Sequence, residues 1–123
     1  MSVENNECII ATTFDDDIIW EIKEWIACDV PEEFQSLFVF VDSIVNGKTT
    51  IIMTPDGSKK GWDTAIEAER IRKKFIKKIL TYNYSDGSSP FDWIEVGYGE
   101  YGQKVLQGNC HNCISDKEYH EDN

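Results

Sequence analysis

The stretch TPDGSKKGWDTAIEAERIRKKFIKKIL, residues 54–80, decides how the rest of the chain reads. In its second part Ala65, Ala68, Ile71, Phe75, Ile76 and Ile79 recur at helical spacing and form one apolar stripe. Arg70, Lys73, Lys74 and Lys77 fall away from that stripe onto a basic face. Thr64 followed by Glu67 fits a capping box, in which hydroxyl and carboxylate each satisfy an orphan backbone N–H. Asp63 and Glu67 near the start, with Lys77 and Lys78 at the end, suit the helix macrodipole. A helix with one apolar stripe needs a second layer to bury it.

The flanking sequence supplies strands for that layer. Leu37 to Val45 and Lys48 to Thr54 are rich in β-branched and aromatic residues, and Asn46-Gly47 between them accepts the positive φ of a two-residue type I′ hairpin. With those two residues as the loop, Val45 faces Lys48, Ile44 faces Thr49 and Phe40 faces Met53. Phe38, Phe40, Ile44, Ile51 and Met53 then share the core face. Val39, Val41, Ser43, Thr50 and Ile52 share the other, which is apolar enough to be covered by a partner. Beyond a Tyr- and Ser-rich loop (Tyr82 to Pro90), Asp92 to Tyr98 reads as a strand, and Gln103 to Gln107 as a further short strand returning through Gly99 to Gly102.

Before the hairpin, Cys8 to Phe14 reads as a strand. Ile18, Ile19, Ile22, Trp25 and Ile26 then recur at helical spacing, with Trp20 partly off the stripe. Thr13 or Asp15 can cap this helix, and Pro31 stops it near Asp29. Val30 to Ser36 is an acidic connector. The order strand, helix, strand, strand, helix, strand predicts an α+β fold. Its antiparallel sheet carries two helices on one face, in the ferredoxin-like β-α-β-β-α-β order. Residues 1–114 form the expected single domain, and 115–123 the expected disordered acidic tail.

The 123 residues carry a net charge of −11, split unevenly. Lys59 to Lys78 holds eight of the 12 Lys+Arg and three of the 23 Asp+Glu, a net +5 that leaves −16 for the rest. Such a balance opposes binding of nucleic acid or anionic membrane by the surface as a whole, and suits a basic partner. No basic n-region precedes an apolar core, and the longest apolar run is Leu37 to Val41, so a cytoplasmic protein is expected. Cys8 and Cys28 read as small buried hydrophobes.

Several constellations suggest chemistry and have plainer accounts. Asp15, Asp16 and Asp17 after a strand suit magnesium through two carboxylates, and also suit a helix N-terminus. Cys110, His111, Cys113 and His120 offer zinc donors, but a structural site wants two well-spaced pairs and only one Cys-x-x-Cys exists, so no metal or other cofactor is expected. Asp56-Gly57-Ser58 and Asp86-Gly87-Ser88 suit an anion-binding nest or ordinary turns, and lack the P-loop spacing. No Ser/His or Cys/His catalytic pair and no dinucleotide fingerprint stands out.

Two surfaces are therefore the candidates for function. One is the acidic block Asp15, Asp16, Asp17, Glu21, Glu24, Asp29, Glu32 and Glu33, in which Lys23 is the only basic residue. It can meet a basic site on a protein partner or imitate phosphates; the plainer account is a solubilising face. The other is the basic unit, with Trp62, Arg70 and Lys74 as its contact residues, for which a solvated helix face is the plainer account.

Residues 54–64, Ile71 to Ile76 and Asp86 to Val96 resemble a group of small proteins of tailed phages and prophages. The resemblance covers roughly the second half of the chain and carries over no functional residues. It implies a setting, since phage accessory proteins are often small binders that inhibit or redirect a host machine. The expected function is accordingly that of a small acidic, non-enzymatic binder of a host protein with a basic surface, acting in the host cytoplasm. The alternatives are a carboxylate- and metal-dependent enzyme, or a nucleic-acid binder working through the basic helix.

Overall fold

The computed structural model describes residues 5–109. Strand β1 (Asn5–Thr13) leads into helix α1 (Asp16–Asp29) and the one-turn helix α2 (Glu32–Gln35). The hairpin strands β2 (Phe38–Asp42) and β3 (Thr49–Met53) follow, then helix α3 (Asp63–Leu80) and strands β4 (Asp92–Gly99) and β5 (Gly102–Gly108). The sheet has five strands in the order β2-β3-β1-β4-β5, each neighbouring pair antiparallel. The fold is thus α+β. β1 lies at the centre, so α1 links two strands separated by β3, and α3 links two strands separated by β1.

Alternation along the strands decides what faces the helices. Ile9 and Ala11 of β1, Ile51 and Met53 of β3, Phe38 of β2 and Trp93 of β4 are buried in one cluster. Ile18, Ile19, Ile22 and Ile26 of α1 join it, as do Ala68, Ile71, Phe75, Ile76 and Ile79 of α3. Trp25, Phe38 and Phe75 meet ring to ring, with centroids 5.1 to 6.1 Å apart, which joins α1, β2 and α3. Such pairs contribute about 0.5–1.5 kcal/mol each beyond their buried area.

The hairpin departs from the expected register. Phe40 pairs with Ile51 rather than Met53, and Asp42 with Thr49. Asn46 and Gly47 do take positive φ, 71° and 63°, but the loop is longer than two residues. Ser43 closes it: its N–H donates to the Lys48 carbonyl, and its hydroxyl accepts from the Lys48 N–H and donates to the Val45 carbonyl. The slip is by two residues, the side-chain period of a strand, so the core face is unchanged except that Ile44 stands wholly exposed in the loop.

Three other expectations are corrected. α3 begins at Asp63 with Trp62 in the cap position and no side-chain cap, so Thr64 lies inside the first turn and cannot act as a capping residue. Glu67, freed from that role, pairs with Arg70. Cys28 is exposed, while Cys8 is buried. The acidic connector contains a helical turn, α2, which puts Phe34 into the core.

At α1 the capping expectation holds for Asp15, whose carboxylate accepts from the N–H groups of Asp17 and Ile18 at 3.0 and 3.2 Å. Trp20 is largely exposed. Gly102 to Gly108 returns on β4 as the extra strand, with a bulge opposite Glu95 and Val96. Among the described residues no helix is long and apolar enough to cross a membrane.

Candidate functional site

The helical layer brings the two oppositely charged surfaces side by side. α1 and α3 pack on the same core, and Tyr82, just after α3, donates a hydrogen bond to Glu21 of α1 at 2.9 Å. Burial and that hydrogen bond push the Tyr82 phenol up to about 12. Asp16, Asp17, Glu24 and Asp29 are exposed along α1, and Glu32 and Glu33 open α2. Among the described residues none of these six carboxylates, nor Asp15 or Glu21, is in an ion pair. Lys23, the one cation in the block, lies over the Phe40 ring at 5.0 Å. Asp15 is spent on the helix cap, which leaves the others facing solvent.

The basic unit is divided by the fold. Arg70, Lys73, Lys74 and Lys77 are exposed, and Trp62 stands 54% exposed at the start of α3. Arg72 is different. Residues 68, 75, 76 and 79 lie four before, three after, four after and seven after it, so it sits within the apolar stripe and is buried. Its guanidinium meets three carboxylates: Glu69 at 3.0 Å, Glu7 at 3.2 Å and Asp56 at 3.4 Å. It thereby joins α3, the start of β1 and the loop before α3. Burial pushes the Glu7 carboxyl up; Arg72 opposes this, while Glu69 and Glu95 reinforce it. Sequence reading missed this cluster, although a cation at the centre of an apolar stripe was the signal for it.

A cleft of about 690 Å³ opens beside Arg72, lined by Lys60, Ile66, Arg70 and Lys73 with Glu7, Asp56 and Glu69. A second, of about 470 Å³, lies between α2 and the start of α3 and is lined by Glu33, Asp56, Asp63 and Glu67 with Phe34 and Leu37. The two share Asp56, and neither contains a histidine or cysteine. The only hydroxyl in the larger cleft, Ser58, is bound to Asp56.

The Asp-Gly-Ser stretches take the turn reading. Asp56 accepts from the N–H and hydroxyl of Ser58, and Asp86 likewise from Ser88, with Gly57 and Gly87 at φ 83° and 88°. In each loop the carboxylate occupies the backbone N–H that an anion would need. Among the described residues no group of three or more His, Cys, Asp or Glu is placed to hold a metal ion. Cys110, His111, Cys113 and His120 lie outside the described residues, as does the expected tail 115–123. Comparison of the chain with protein-family models, curated proteins and solved structures found no match.

Proposed function

We propose that the protein is a small acidic binding protein whose α1–α2 face docks on a basic site of a protein partner. We read its scaffold as ferredoxin-like with an added edge strand. The observation that supports the reading is the unpaired state of the acidic block: Asp16, Asp17, Glu24, Asp29, Glu32 and Glu33 are exposed on α1 and α2, and none is in an ion pair among the described residues. A purely solubilising face needs no such concentration, and like charges held close oppose folding. The field of the block steers a basic partner, and its carboxylates can stand where phosphates would. In the phage-type setting that the sequence resembles, the partner is a host protein whose work is inhibited or redirected.

The test is recovery of a host partner by the wild-type chain, by a variant with Asp16, Glu21, Glu24 and Glu32 changed to Asn or Gln, and by a Lys73/Lys74/Lys77→Gln variant. A partner with a basic surface should be retained by the wild-type chain and by the lysine variant and lost by the acidic variant, and its affinity should fall with added salt. Retention by the acidic variant, with loss when Trp62 or α3 is altered, would move the working surface to the basic unit.

A further inference from the structure

Among the described residues no helix covers the other face of the sheet, and its chemistry differs from the rest of the surface. Register places Val39, Ile52, Ile10 and Ile94 in one row across β2, β3, β1 and β4. Val41 and Val105 flank the row, 49% and 61% exposed. The polar pair Thr12 and Thr50 on this face is satisfied internally, hydroxyl to hydroxyl at 2.8 Å. By strand alternation Asp92, at one end of β4, is the only charged residue on the face among the described strand residues. A chain of net charge −11 thus keeps one broad surface almost free of charge.

We propose that this face is the interface of a homodimer, with two sheets packed face to face about a two-fold axis. Size supports a second copy. Five strands about 4.8 Å apart, each paired over roughly six residues at about 3.3 Å per residue, give a footprint of roughly 500 Å². Two copies bury about 1,000 Å² between them, the lower bound for a specific interface. An uncharged face suits its own copy, because a two-fold axis sets each patch against itself and would set any charge near its like.

The proposal is independent of the acidic face and has an opposite salt signature. Two chains of the same charge repel at long range, and salt screens that repulsion. The homodimer should therefore strengthen with added salt, where docking of a basic partner weakens.

Sedimentation equilibrium of the purified full chain reads the mass directly. We expect twice the monomer mass, with association rising between low and high salt. Val41→Lys and Val105→Lys, at exposed positions, should each weaken association by at least about tenfold while leaving the far-UV circular dichroism spectrum unchanged. A readout on the unaltered chain runs beside it: on dilution, the methyl NMR signals of Ile10, Ile52 and Ile94 should shift, and those of the core residues Ile22 and Ile79 should not. A monomer at every concentration and salt, a dimer indifferent to both substitutions, or dilution shifts confined to other residues would each overturn the proposal.

Discussion

The Arg72 guanidinium lies 3.2 Å from a Glu7 carboxylate oxygen, with 7% of the Arg72 side chain exposed, so the middle of α3 is tied to the start of the central strand. Asp56 and Glu69 complete the shell around it at 3.4 and 3.0 Å. One buried cation therefore neutralises carboxylates from a strand, a loop and its own helix. The arrangement carries more negative than positive charge; burial raises the Glu7 carboxyl, Arg72 opposes that rise, and Glu69 and Glu95 add to it.

Removing the cation should cost more than its own contacts. Arg72→Ala leaves Glu7, Asp56 and Glu69 without their shared partner in a partly buried site, and opens a gap in the apolar stripe. The expected loss is about 3 kcal/mol, the magnitude for breaking one side of a buried ion pair. Arg70→Ala, which removes an exposed residue paired with Glu67, should cost less than about 1 kcal/mol. Urea unfolding of both variants checks the contrast. Equal losses would show that the buried cluster contributes no more than a surface pair.

This pair also marks where the sequence was legible and where it was not. The stripes of α1 and α3 could be read because burial follows helical period, and the core faces of β2 and β3 because burial follows a period of two. The register between β2 and β3 could not: Asn46-Gly47 fits a tight hairpin, but Ser43 and Lys48 close a longer loop through side-chain hydrogen bonds that pattern does not encode. The acidic block was visible as charge density. Arg72 was counted only in the net charge of Lys59 to Lys78, because composition sees its charge, whereas its partners Glu7 and Asp56 lie 65 and 16 residues away in sequence.

Tyr82 gives a pH signature of the contact between the helices. Its burial, and then its hydrogen bond to Glu21, raise the phenol from 10 to about 12. The folded chain therefore holds this proton where the unfolded chain has released it. By linkage the corresponding stability is fully present below about pH 10 and is lost as pH rises from there through about 12. Ultraviolet titration should show a tyrosinate step near pH 12 that Tyr82→Phe removes and Glu21→Gln moves toward lower pH. A titration unaffected by Glu21→Gln would deny the contact any part in the shift.

Two glycines of the β4–β5 pair should respond unequally to the same added methyl. At Gly108 a Cβ would stand 2.7 Å from the Trp93 carbonyl oxygen and 3.1 Å from the Ile94 Cα, both backbone atoms. Neither can give easily, because Asn109 pins that part of β4: its side-chain amide accepts from the Trp93 N–H at 2.9 Å and donates to the Phe91 carbonyl at 2.6 Å. Gly108→Ala must push the end of β5 off its neighbour, at an expected cost of about 1–3 kcal/mol. At Gly97 the new atom would meet the Leu106 side chain at 3.5 Å, ordinary contact with a flexible group. Gly97→Ala should stay within about 0.5 kcal/mol of the parent. Thermal melts of the two variants read the difference, and amide hydrogen exchange places it, since only Gly108→Ala should accelerate exchange at Trp93 and Asn109. If Gly108→Ala melted with the parent, the close approach of β5 to Trp93 would be wrong, and with it the docking of the last strand.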